Sequence, residues 1–141
     1  MAAKPYGRTF ALLSLLSSLL FCGLGGLRLG ASPKSTLVEV WCGGDDGLTT
    51  KLRDSLENAF KSSSDFRLSE GKKPGTLTVT IPSHVGWKLV GKRTQVSYTV
   101  EFASVDNQPL GSSAGSCWED ALSTCASKIV KDARSAARKI H

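Results

Sequence analysis

The sequence predicts an α+β domain: a two-layer sandwich in which a mainly antiparallel sheet carries two helices on one face. Three observations predict it. Two segments, starting at Leu48 and at Trp118, repeat apolar residues at steps of three and four, the period of a helix that buries one stripe. The stretches around them alternate apolar with polar residues, the period of a strand with one covered face. The order is strand, helix, a meander of strands, helix, or β-α-(β)-β-β-(β)-α, and no internal repeat breaks it. A sheet with both helices on the same side buries all these stripes at once.

The elements follow in order. Thr36 to Cys42 (TLVEVWC) is rich in β-formers and reads as the first strand, with Val38, Val40 and Cys42 on one face and Leu37, Glu39 and Trp41 on the other. Leu48, Leu52, Leu56, Ala59 and Phe60 form the stripe of the first helix, which Asp45 or Asp46 caps and Ser62 to Asp65 ends. Phe66-Arg67-Leu68 is a short edge strand and Glu70 to Gly75 a turn. Thr76 to Ile81 turns Leu77, Val79 and Ile81 inward until Pro82 interrupts it. Val85, Trp87 and Leu89 resume the alternation, and Gly91-Lys92 reads as a hairpin turn. Gln95 to Val105 alternates again, Asp106 to Pro109 turns, and Leu110 to Cys117 returns as a glycine- and serine-rich strand. The last helix carries the stripe Trp118, Leu122, Cys125, Ile129, Ala133, Ala136 and Ile140. Trp41 and Trp87 are expected to be packed sheet residues, the alternative being that they are exposed and mark a binding surface.

A chain of 141 residues supports one domain with a real core, and residues 32–141 are assigned to it. Residues 1–31 have the parts of a secretory signal: Lys4 and Arg8, an apolar block from Phe10, and Gly25-Gly26 before Arg28. The competing reading is an uncleaved N-terminal anchor holding residues 10–27 in a membrane. Cys22 follows Phe21 rather than a small residue and reads as apolar filler, not a lipidation site. The 18 basic residues include three in this leader, so the remainder has 15 against 12 acids and a net charge of +3 rather than +6. That balance gives little reason to expect a nucleic acid.

The stretch VWCGGDDG (40–47) carries the sharpest chemical question. Trp41-Cys42-Gly43 at a strand end before a helix resembles the thioredoxin family, where a helix N-terminus activates the thiol, and Ile81-Pro82-Ser83 resembles that family's proline loop. The resolving position is Asp45, however, and no strand and helix intervene before Ile81. Phosphate and calcium loops need spacings this stretch lacks. The preferred reading is structural, with Cys42 a buried thiol pointing at the helices. Export makes a disulfide the expected state of two cysteines, and Cys117–Cys125 is favoured over Cys42–Cys117.

Other chemistry is thin. His84 and His141 are the only histidines, so no catalytic residue, metal site or cofactor is assigned. His84 is placed in a solvated loop. Glu119 with Asp120 reads as helix capping. Lys128, Lys131, Arg134, Arg138 and Lys139 oppose the negative end of the last helix, and the alternative is contact with an anionic glycan or lipid.

The segment Leu48 to Ala137, with LENAFKSSSDFRL closing its first helix, QVSYTVEFASVDNQPLG as its long strand and a final helix, resembles a pattern of bacterial envelope proteins. It is similar to the N-terminal domain of the translocation protein TolB and to lipoproteins that activate penicillin-binding proteins or form the curli secretion channel. The resemblance implies an exported, non-enzymatic accessory domain in the periplasm, binding another envelope protein through a sheet edge or open face. It carries no functional residue and no oligomeric state with it.

Overall fold

The computed structural model describes residues 34–141. The expectations placed on residues 1–31, a cleaved leader or a membrane anchor, lie outside the described residues, as does Cys22.

The elements are β1 (Thr36–Cys42), α1 (Gly47–Lys61), β2 (Phe66–Leu68), β3 (Leu77–Ile81), β4 (Gly86–Val90), β5 (Arg93–Ser104), β6 (Pro109–Trp118) and α2 (Leu122–Ala137). A 3-10 turn, Glu119–Ala121, joins β6 to α2. The predicted order and class are those observed. β1 pairs in parallel with β2 and with β3, because α1 carries the chain back to the start of the sheet before β2. The other three pairings, β3–β5, β4–β5 and β5–β6, are antiparallel.

β5 is the spine. β6 pairs along nearly all of one edge, so β3 and β4 share the other edge end to end. β3 lies against Glu101–Ser104 and β4 against Arg93–Ser97, with Pro82–Val85 between them. Val90 and Arg93 flank a two-residue loop whose first member, Gly91, has φ 63°, the conformation a type II′ hairpin turn requires there.

The core lies between sheet and helices. Val38, Leu77, Val79, Val96 and Val100 of the sheet are fully buried, as are Leu52, Leu56 and Phe60 of α1 and Ile129 and Ala133 of α2. Phe60 meets Phe66 edge to face at 5.0 Å between centroids, fixing the short β2 to α1. Cys117, at the end of β6, is bonded to Cys125 in the first turn of α2, with their Cα atoms 5.8 Å apart.

Two expectations are corrected. Trp118 is not on the helical stripe: β6 runs one residue further than its cysteine, and the Trp118 indole lies under the Arg93 guanidinium, 4.3 Å from the ring centroid. Glu119 and Asp120 cap nothing, because the 3-10 turn has no side-chain cap. Instead Glu119 pairs with Lys51 of α1 at 2.9 Å and Asp120 with Arg93 of β5 at 2.7 Å, bracing the start of α2 against two neighbours.

Candidate functional site: an uncovered strand

The VWCGGDDG stretch is a tight junction. A Cβ on Gly43 would stand 2.4 Å from the Pro82 carbonyl oxygen, and one on Gly44 would stand 2.8 Å from the His84 ring. The glycines are there because the β1–α1 turn runs hard against the segment after β3. Cys42 is half-buried rather than buried, and its Sγ donates to the Gly44 carbonyl at 2.8 Å. Cys117 and Cys125 are bonded to each other, so no free cysteine of the described residues can resolve a disulfide formed at Cys42.

Asp46, not Asp45, caps α1. Its Oδ1 accepts from the Leu48 and Thr49 amides at 3.1 and 3.0 Å, and its Oδ2 from the Thr49 hydroxyl. The Thr49 hydroxyl in turn accepts the Val85 amide at 3.0 Å. His84 Nδ1 meets the same Oδ2 of Asp46, so this histidine is exposed but not merely solvated. The Thr49 hydroxyl and then His84 hold the Asp46 carboxyl well below the usual carboxylate range. The Asp46 carboxylate in return raises the His84 pKa above its ordinary value. One acid therefore ties the helix start to the link between β3 and β4.

The basic residues of α2 are distributed rather than gathered. Lys128 binds Asp132 at 2.8 Å and the Ala114 carbonyl at 3.3 Å, and Ser113 donates to Asp132 at 2.6 Å. The Lys128 ammonium, followed by the Ser113 hydroxyl, lowers the Asp132 pKa. Arg134 binds Asp65 at 2.6 Å, and Lys139 donates to the Leu110 carbonyl at 2.6 Å. Lys131 and Arg138 have no ion pair among the described residues. Three of the five cations thus hold α2 to β6 and to the turn before β2. Among the described residues, no three His, Cys, Asp or Glu side chains converge as metal ligands.

The feature that stands out is β4. All five of its residues are exposed, including Trp87 at 63% and Leu89 at 68%. Trp87 is opposite Val96, so its side chain is on the helix-bearing face of the sheet, yet neither α1 nor α2 covers it. Trp41, on the opposite face beside Thr80, is also exposed, at 52%. The expectation that both tryptophans are packed is corrected. Alternation identified the apolar face of β4, but the extent of the helices above it decides whether that face is buried. Lys88 and Lys92 flank the patch, and Val90 extends it on the other face. The arrangement is a buried core with an exposed apolar arm.

Neither a known protein family nor a curated protein matches the chain. Solved structures resemble it in fold. Protein XCC0632 from Xanthomonas campestris, with family model DUF330, is 13% identical with a TM-score of 0.55, covering 78% of this chain and 91% of that one. A minor lipoprotein from Acinetobacter baumannii is 13% identical with a TM-score of 0.45, covering 71% and 94%. The PelC dodecamer from Paraburkholderia phytofirmans is 15% identical with a TM-score of 0.44, covering 73% and 86%. At these identities the likeness to XCC0632 establishes a shared α+β fold alone.

Proposed function

We propose that the chain is an exported, non-enzymatic accessory domain of a bacterial cell envelope, and that it acts by holding another envelope protein. Residues 1–31 serve as its leader or anchor and residues 32–141 as its single domain. The carrying observation is β4: a strand with exposed Trp87, Leu89 and Val90 on a well-packed core is a surface that a partner covers. The envelope assignment rests on the leader composition and on the resemblance to the TolB-type domain and the lipoproteins named with it.

The two other readings have less support. A thiol-redox role for Cys42 lacks a free second cysteine among the described residues. An anionic-surface role for α2 has three of its five cations already bound to local acceptors.

The test is capture from envelope fractions by the wild type and by a Trp87→Ser/Leu89→Ser variant with unchanged far-UV circular dichroism. The proposal expects a partner that the wild type retains and the variant loses. Recovery of the same proteins by both, or of none by either, counts against it. Intact mass of the protein from expressing cells reads the leader directly: cleavage removes residues 1–31, and an anchor leaves the full mass.

A further inference from the structure

A sheet with open edges must either protect them or use them. Among the described residues β2, β4 and β6 each present an outer edge, and these are treated differently. β2 is short, with three residues. β6 is long, but Lys128 and Lys139 reach across from α2 and its end to the Ala114 and Leu110 carbonyls. β4 pairs only with β5, because β1 stops at Cys42 opposite Ile81, and nothing among the described residues lies along its outer side. Among the described residues no lysine of another element covers its backbone, no proline interrupts it, and three of its side chains, Trp87, Leu89 and Val90, are apolar, with Lys88 its one charge.

The hairpin geometry tells which groups that edge offers. Val90 and Arg93, next to the two-residue loop, exchange hydrogen bonds with each other. By the alternation of an antiparallel ladder, Lys88 and Gly86 also bond inward to β5. The N–H and C=O groups of Trp87 and Leu89 therefore point outward, without a partner strand among the described residues. Their side chains stand side by side on the helix-bearing face, while Lys88 occupies the other face and Lys92 the tip.

We propose that the outer edge of β4 accepts an extended segment of a partner protein as an added strand, and that this segment alternates apolar with acidic residues. Two hydrogen-bonded pairs with Trp87 and Leu89 set its register. Its apolar residues lie beside the indole and the leucine, and its carboxylates lie beside Lys88 and Lys92. A second copy's β4 is the poorer occupant, since an antiparallel joint centred on Lys88 would set the two Lys88 side chains directly opposite each other. This inference rests on the proposed role as an interaction domain and specifies how the partner is held.

The test uses two synthetic ten-residue peptides, one alternating valine with glutamate and one alternating valine with lysine, at low ionic strength. The wild type is expected to bind the glutamate peptide at least ten times more tightly. Amide exchange at Trp87 and Leu89 should slow on binding. Leu89→Pro removes one outward N–H and no bond to β5, and proline is tolerated on an edge strand, so this variant should fold and lose at least tenfold in affinity. Lys88→Glu with Lys92→Glu should reverse the preference toward the lysine peptide.

Equal binding by Leu89→Pro, protection mapped to β6, or no binding of either peptide by the wild type overturns the proposal. So does sedimentation showing a dimer that Leu89→Pro dissolves, which would make the occupant a second copy. If the peptides fail while partner capture still depends on Trp87 and Leu89, the interaction role survives and the added-strand mode falls.

Discussion

Leu77, Val79 and Ile81 of β3 and Val85, Trp87 and Leu89 beyond it follow the same alternation along the same edge of β5. The first three are fully buried or nearly so, whereas Trp87 and Leu89 are more than half exposed. The pattern is one and the environments are two. Alternation reports that a strand has an apolar face, and only the elements packed above that face determine whether it is core or surface. The change falls at Pro82–Val85, where α1 begins and the covering layer stops.

The comparison predicts unequal costs for equal truncations. Leu77→Ala empties a site in the fully packed half, and its expected cost is about 2–5 kcal/mol. Leu89→Ala removes a side chain that is 68% exposed, so its effect should stay within about 0.5 kcal/mol. Denaturant unfolding of both variants with the disulfide intact measures the difference. A Leu89→Ala cost near that of Leu77→Ala would mean that β4 is covered in solution, either by residues 1–33 or by another copy.

The disulfide is buried, but it lies at the β4 end of the sheet, where Cys117 pairs with Val96 and Val96 with Trp87. It joins the end of β6 to α2 across a sequence separation of 8, and constraining so short a loop in the unfolded chain stabilises the fold by about 2–3 kcal/mol. Replacing Cys117 and Cys125 by alanine should lower stability by about that amount and leave amide exchange in β4 unchanged. Faster exchange in β4 together with α2 would show that arm and core open as one unit, which denies the division between them.

Most of the fold was legible in the sequence. Period two marked the strands, period three to four marked the helices, and the order of elements left few ways to bury every stripe. The spacing of Cys117 and Cys125 across a strand–helix junction was readable for the same reason. For the candidate site, the sequence offered Trp41 and Trp87 as a binding surface only as the second alternative to packed residues, although a further signal existed. At about 3.3 Å per residue, β5 is about 40 Å long, whereas α1 and α2 at about 1.5 Å per residue span about 22 and 24 Å. Helices of that length cannot cover such a strand from end to end, so one end of its neighbours has to emerge. The ion pairs of Glu119 and Asp120 left no such trace, because their partners Lys51 and Arg93 meet them only once the chain is folded. The same holds for His84, whose partner Asp46 is 38 residues away.

That histidine sits on the boundary between the two halves, and its titration gives the smallest expected effect. The folded pKa of Asp46 is depressed, so its contribution is present above the ordinary 3.8 and is lost as the pH falls through the folded value. The folded pKa of His84 is raised by Asp46, with a smaller push from Asp45. Its contribution is complete below the ordinary 6.5 and is lost as the pH rises through the folded value. The pair is therefore at full strength between those limits, and His84→Gln should lower the melting temperature most near about pH 5 and least near about pH 9. Both side chains are partly solvated, so the difference is modest and shrinks with added salt. Because His84 anchors the link to β4 rather than the core, exchange in the variant should quicken at Val85–Val90 and hold steady at Leu52, Leu56 and Val100. A melting difference that does not change with pH would remove the ion pair, leaving the Thr49–Val85 hydrogen bond to join helix and arm.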